Sequence, residues 1–292
     1  MMQAMRSGLL LIGLLASQAV WALQPYLAGD KVNGGDLRTV MTEVEKKLGA
    51  AGFQVIGKHT PAGLPQHGAL VVLDKALTDA VKGVGGQAFV AAGIRVGVQA
   101  DGKVSYINPE YWHRAFLRKQ YSAVEAASKA VQEKLAKALG AGEAFGGDVP
   151  TDNLAGYRYM WGMERFDDSG NELASFDSFD EAVATVKDNL AKKVGTTEKV
   201  YEIVLADKKL AVFGVALNDP ATGEGWWVNK VGADHIAALP WEIYVVGNKV
   251  GAMQGRYRTA LAWPALTMGT FMGISSHPGS THDTLKAVAA KK

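Results

Sequence analysis

The sequence predicts an α+β protein of two similar units, each an antiparallel sheet of about four to five strands packed with two helices, in the order β-α-β4-α. The first observation is a pair of matching hairpins. Asp101-Gly102 and Gly247-Asn248 each stand between β-rich runs and are each followed by Lys-Val. Such pairs tolerate the positive φ angles of a two-residue turn. The second observation is that a strand, an amphipathic helix and two more strands precede each hairpin, so the order of elements repeats.

The first unit is predicted to span residues 23–140. Residues 24–28 form a short strand in this prediction, and residues 36–48 form a helix whose apolar positions follow helical spacing: Leu37, Val40, Met41, Val44 and Leu48. Strands at 53–56 and 69–73 follow, and the Gly-rich stretch 78–87 is predicted to be irregular. After the hairpin, Asn108-Pro109-Glu110 has the residue types that begin a helix, which we expect to continue to residue 139.

A Gly-rich linker is predicted at residues 141–156, and the second unit at 157–275. Residues 157–166 are predicted to form its first strand. Ser178 followed by Glu181 is typical of a capping box and predicts the next helix. Strands at 200–205 and 210–217, the second hairpin and a helix interrupted near Pro264 complete the unit. Residues 276–292 are predicted to be a flexible tail.

The N-terminal residues predict export. Residues 1–22 combine one early positive charge, an apolar run and short residues at Val20-Trp21-Ala22, which is the pattern of a cleaved secretory signal peptide. An uncleaved anchor is the alternative, but the apolar run is shorter than a membrane span requires, so no stable span is expected after cleavage. The expected location is the bacterial periplasm or the medium.

Composition excludes several classes of site. The chain has no Cys, so disulfides, thiol nucleophiles and thiolate metal sites are excluded. A formal net charge of +2 over 292 residues, without Lys/Arg clusters, is not the charge pattern of a nucleic-acid binder, so no nucleic-acid partner is expected. The 48% hydrophobic content is that of a globular protein.

Several short segments resemble domain-of-unknown-function family 302. They are the Gly52-Phe53 junction, the Gly102-Lys103-Val104 hairpin leading to Asn108-Pro109, the Ser178 helix start and the Leu239-Pro240 strand entry. The resemblance implies a tandem protein with a strand, a helix, a four-stranded antiparallel sheet and a helix in each unit. It implies no activity and no catalytic residue, and Gln254-Gly255 stands where the second unit would carry Asn-Pro.

The preferred functional hypothesis is non-enzymatic binding of a small molecule or a partner protein. Its site is predicted at a surface bordered by large aromatic side chains beside polar groups. The predicted ligand-binding residues are Trp112, His113, Arg114, Trp226 and Trp227.

No catalytic residue, metal ligand or cofactor is predicted. Gly97 to Lys103 resembles a phosphate-binding loop, but it lies in a hairpin and has Val104 where a Ser or Thr must bind magnesium. Two alternatives remain open. A periplasmic enzyme would need His113 or His235 beside a carboxylate. A copper-handling protein would need Met268, Met272 and His277 to converge, since thioethers suit Cu(I).

Overall fold

The computed structural model describes residues 21–291, and the predicted signal peptide lies outside this range except for Trp21 and Ala22. The described chain is α+β with antiparallel sheets, as predicted. Its helices are α1 (Leu37–Ala50), α2 (Lys75–Val84), α3 (Pro109–Leu117), α4 (Glu125–Leu139), α5 (Thr151–Leu154), α6 (Phe179–Ala191), α7 (Glu224–Val231), α8 (Gly255–Ala262), α9 (Met268–Met272) and α10 (His277–Ala289).

The first sheet has the strand order β3-β4-β5-β6-β2-β7, and the second has the order β10-β11-β12-β13-β9. The strands of the first are β2 (Tyr26–Ala28), β3 (Gln54–His59), β4 (His67–Leu73), β5 (Ile94–Gln99), β6 (Val104–Ile107) and β7 (Ala144–Phe145). Those of the second are β9 (Glu172–Ser175), β10 (Thr197–Leu205), β11 (Leu210–Leu217), β12 (Trp241–Val246) and β13 (Lys249–Ala252). A small additional sheet pairs β1 (Ala22–Leu23) with β8 (Val149–Pro150).

The first five strands of one sheet and the five strands of the other follow one path through the chain. A short strand leads to a helix, then to a strand pair, a helix, a 3₁₀ segment and a hairpin, and the short strand pairs with the last strand of the hairpin. The 3₁₀ segments are Gly86–Ala92 and Ala233–Ala238. In both halves a helix, α3 or α8, follows the hairpin.

Helices begin at both predicted starts, but Asn108 makes no capping hydrogen bond, whereas Ser178 does. Ser178 accepts a hydrogen bond from Glu181 N at 3.1 Å, and Glu181 Oε2 accepts one from Asp177 N at 2.9 Å. These bonds satisfy backbone donors that the first turn leaves free. Asp36 does the same for α1, with Thr39 N at 2.9 Å. The apolar stripe of α1 is buried as predicted, at Leu37, Val40, Met41, Val44 and Leu48.

Four expectations about local structure are wrong. Residues 157–166 are not a strand, and the second sheet instead takes its short strand from Glu172–Ser175. Most of the stretch predicted irregular, residues 78–87, belongs to helix α2, which Asp74 caps by accepting a hydrogen bond from Leu77 N. The helix after Asn108 breaks at Arg118, whose φ of 54° ends α3. The predicted tail is helix α10, held by Asn189 Nδ2 donating to Val288 O at 2.9 Å.

The predicted linker also contributes to the sheet of the first half. Ala144–Phe145 pairs with β2, and Gly142 N donates to Ala28 O at 2.9 Å. Along residues 21–291, no helix is both long and apolar enough to cross a lipid bilayer.

Each half packs its 3₁₀ segment against the sheet of the other half. Residues 233–238 lie on the first sheet: a Cβ on Gly97 would come within 2.9 Å of Ala237 N, so only glycine fits there. Residues 86–92 lie against the second sheet, where Tyr244 OH donates to Gln87 Oε1 at 3.0 Å. Reciprocal packing of this kind makes the boundary between the halves part of the core.

Candidate functional site

A buried group of three charged side chains lies at the boundary between the halves. Arg95 on β5 donates from one terminal guanidinium nitrogen to Glu242 Oε1 on β12 at 2.6 Å. Arg258 on α8 donates to Glu242 Oε2 at 3.4 Å and to Ala238 O at 2.6 Å. Each of these three residues has a relative solvent exposure of 1%. Two guanidinium groups around one carboxylate leave a net positive charge in the interior, so removing the carboxylate would leave both buried arginines without a counterion.

Trp112 packs against this ionic group. The guanidinium carbons of Arg95 and Arg258 lie 4.7 and 4.8 Å from its ring centroid, and its indole N–H donates to Pro25 O at 2.9 Å. The side chain is fully buried. Trp112 therefore acts in the core, where cation–π contacts support the two arginines.

The other predicted ligand-binding residues are also not arranged around one open surface. His113 and Trp227 are buried, and Trp226 and Arg114 are half-buried. Arg114 is paired with Glu110 at 2.6 Å one helical turn away, while Lys230 Nζ lies 3.7 Å from the Trp226 ring centroid. The expectation that Trp112, His113 and Trp227 border an exposed surface is wrong, because the helices that carry them pack inward.

The predicted copper ligands do not converge either. His277 is buried, and both ring nitrogens are engaged: Nε2 with Thr259 Oγ1 at 3.1 Å and Nδ1 with Thr281 Oγ1 at 3.0 Å. Its ring stacks on Trp227 with the centroids 4.0 Å apart. Met268 and Met272 remain half or more exposed on α9. His277 therefore belongs to the aromatic core of the second half.

Two buried histidines, His113 and His277, and the half-buried His235 are held neutral by desolvation. Burial lowers the pKa of His113 and of His235 to about 4, and that of His277 to about 3. His113 Nδ1 lies 2.7 Å from Ser128 Oγ, and His235 Nδ1 lies 3.2 Å from Ala262 O. Within residues 21–291, neither pairs with a carboxylate, so the arrangement that the enzyme hypothesis required at these positions is not formed.

Because of these histidines, we expect the free energy of unfolding to fall in mild acid. Their folded pKa values lie below the unfolded value of about 6.5, so the unfolded chain binds more protons as the pH falls. Their contribution is complete above about pH 6.5 and is lost as the pH falls toward 4, or toward 3 for His277, on the order of 3 to 5 kcal/mol for each group. We expect urea midpoints to fall steeply between about pH 6.5 and 4.5, and His277→Gln to flatten that slope. Equal midpoints across this range would contradict the assignment.

The described structure does contain a histidine–carboxylate pair, at residues that the sequence analysis did not select for catalysis. His59 Nε2 at the end of β3 lies 2.6 Å from Glu224 Oε2 at the start of α7. The two side chains are only 4% and 0% exposed, and Glu224 Oε1 has no hydrogen-bond partner in the described chain. The pair joins the halves, since Gly225 beside it packs closely on Ala62. No local motif marks it, because its members are far apart in the chain.

A cleft of about 340 Å³ opens where the 3₁₀ segment of the first half meets the second sheet, near Gln87 and Asp168. Two of its charged side chains are paired with each other, since Lys249 Nζ lies 2.8 Å from Glu172 Oε2. Asp168 Oδ1 accepts a hydrogen bond from Gly170 N at 3.1 Å, and Gln87 donates to Phe166 O and accepts from Tyr244. These polar side chains therefore already have partners within the described chain.

The methionine pocket is a smaller and more apolar cavity, of about 80 Å³, between residues 157–166 and helices α8 and α9. Its lining residues are Tyr159, Met160, Met163, Arg256, Thr259, Ala260, Trp263, Leu266, Met268 and Phe271. Thr267 begins α9 by accepting a hydrogen bond from Thr270 N at 3.2 Å, which fixes Met268 at the cavity wall. On the other side, Arg256 Nε donates to Glu164 Oε1 at 2.8 Å.

Comparison with known proteins gives no relative for this chain: no family model, curated protein or solved structure matches it. The resemblance to family 302 stays a prediction.

Proposed function

We propose that this chain is an exported, non-enzymatic binding protein whose binding site is the methionine pocket. One observation carries the proposal. Five of the seven large apolar side chains that are exposed among the described residues lie on the two segments that meet at this pocket: Tyr159, Met160, Trp161, Met268 and Met272.

Exposed apolar side chains gathered beside a cavity are typical of a binding surface. Trp161 is 93% exposed, although a tryptophan in a soluble protein usually covers most of its ring. Gly162 beside it has a φ of 82°, a left-handed conformation that turns the chain between Trp161 and Met163. The turn places Met160 and Met163 in one cavity wall and leaves Trp161 in solvent.

The volume limits the ligand. Pockets for drug-sized molecules usually measure about 300–1,000 Å³, against about 80 Å³ here. The cavity suits a small ligand, or one small group of a larger molecule that also covers the exposed rim. The buried His59–Glu224 pair is not among the residues that line the pocket.

Export and duplication belong to the same proposal. The signal-like residues 1–22 and the absence of Cys support a chain that folds outside the cytoplasm without disulfides. Cleavage after Ala22 would keep Leu23 paired with Val149. The shared strand order of the two sheets supports two copies of one ancestral module of the family-302 kind.

An apolar fluorescent dye tests the site without knowledge of the natural ligand. We expect 1-anilinonaphthalene-8-sulfonate to bind the rim of the pocket, and Trp161→Ser to weaken that binding about tenfold, because the ring's apolar contact is lost. Val204→Ser removes another exposed apolar side chain, on β10, and is the matched control. Equal dye affinity in the two variants would contradict the assignment.

A further inference from the structure

Three methionine side chains line the methionine pocket. Met160 and Met163 reach it from the irregular segment before β9, and Met268 reaches it from the first turn of α9. The two segments are more than a hundred residues apart in the chain, and the fold brings them to one cavity. Sequence spacing pointed instead to Met268 with Met272, but Met272 does not line the cavity and is 63% exposed.

Thioether ligands determine which metal such a site accepts. A thioether is neutral and polarisable, so it binds soft cations such as Cu(I) and leaves Zn²⁺ or Mg²⁺ to nitrogen and oxygen ligands. Thiolates would compete for the same ions, but the chain has no Cys. Among residues 21–291, no group of three His, Asp or Glu side chains is placed to hold a metal ion. His277 has both nitrogens bonded to threonine hydroxyls and offers no ligand atom.

An ion pair lies beside the cavity. Glu164 follows Met163 in the chain and accepts a hydrogen bond through Oε1 from Arg256, which lines the cavity, so the two charges balance each other. Its other oxygen, Oε2, is buried and has no hydrogen-bond partner within the described residues. A buried carboxylate oxygen without a partner is costly. The thioethers are neutral and add no charge at this position, and a volume of about 80 Å³ suits one ion better than an organic ligand.

We propose that Met160, Met163 and Met268 bind one Cu(I) ion in the methionine pocket, next to the Glu164–Arg256 ion pair. The proposal rests on the pocket being the binding site of the protein, and it names the ligand class. Binding requires no change of oxidation state, because the ion enters and leaves as Cu(I).

The test is an anaerobic Cu(I) titration of the folded mature chain against bicinchoninate, with ascorbate as reductant. We expect one Cu(I) per chain, and an affinity lowered at least ~100-fold in the Met163→Leu and Met268→Leu variants, since each loses one ligand atom. Leu conserves the volume of Met, so these variants keep the fold. Met272→Leu on the same helix and Met41→Leu in α1 are matched controls, expected to bind as the parent does.

The outcomes separate this proposal from the proposed function. Absence of Cu(I) binding, or equal affinity in the Met163→Leu and Met272→Leu variants, would overturn the copper site. If Trp161→Ser still weakens dye binding selectively, the pocket remains the binding site and only the ligand class is wrong. If the pocket variants change neither the Cu(I) affinity nor the dye affinity, both proposals fail. X-ray absorption of the loaded protein should show sulfur scatterers, and a first shell dominated by histidine nitrogen would also overturn it.

Discussion

Replacing Glu242 by glutamine is expected to cost about 3–5 kcal/mol of folding free energy. Glutamine keeps the shape of the side chain and removes its charge. Arg95 and Arg258 would then remain in the interior without a counterion, and both are only 1% exposed. Arg95 would lose the ionic character of its 2.6 Å bond to Oε1. Denaturant unfolding measures the loss directly.

Glu172→Gln is the matched control for this change. Glu172 is also on a strand of the second sheet and also pairs with a basic residue, Lys249, at 2.8 Å, but both side chains are solvent-exposed. A surface pair of this kind contributes at most about 1 kcal/mol. Comparable losses in the two variants would show that the Arg95–Glu242–Arg258 group is hydrated and does not hold the two halves together.

Trp112→Ala is expected to cost about 3–5 kcal/mol, through loss of the buried ring and the cavity left behind. The ring contacts Tyr26 and Phe116, with centroids 6.2 and 5.5 Å away, and both inter-half arginines. Because Trp112 is remote from solvent, we expect any surviving folded protein to bind dye and Cu(I) with unchanged affinity. Thermal unfolding and the dye titration together separate the two effects.

Trp226→Ala is the corresponding control on α7. Its ring is half-buried, and Lys230 Nζ lies over its face at 3.7 Å from the centroid. An exposed cation–π contact contributes about 0.5–1 kcal/mol, so we expect a much smaller loss than for Trp112. If Trp226→Ala were the more destabilising change, the burial assigned to these two tryptophans would be wrong.

Local signals in the sequence were sufficient for much of the fold. The hairpins at Asp101-Gly102 and Gly247-Asn248 and the helix beginning after Ser178 form because turn and cap preferences act over a few residues. Elements that depend on tertiary contacts were not predicted from the sequence. Helix α10 has a weak apolar pattern and is held by Asn189, about a hundred residues earlier in the chain. The break at Arg118 occurs without a glycine or proline to mark it.

The site was harder to predict than the fold, for a related reason. In the sequence, Trp112 and Trp227 resemble binding residues because they have polar neighbours. The burial of a side chain cannot be inferred from the residues next to it in the chain. In the strand predicted at residues 157–166, Met160 and Met163 would face opposite sides. The turn at Gly162 replaces that strand and puts both in one cavity wall, opposite Met268. Only the tertiary fold brings the three together.

Native mass spectrometry of the chain recovered from the periplasm tests most directly whether the methionine pocket is where this protein binds. We compare the parent with two double variants, Met160→Ser with Met268→Ser, and Arg114→Ser with Trp226→Ser. We expect a bound mass in the parent and in the Arg114/Trp226 variant, and none in the methionine variant. A bound mass kept by the methionine variant and lost from the Arg114/Trp226 variant would contradict it.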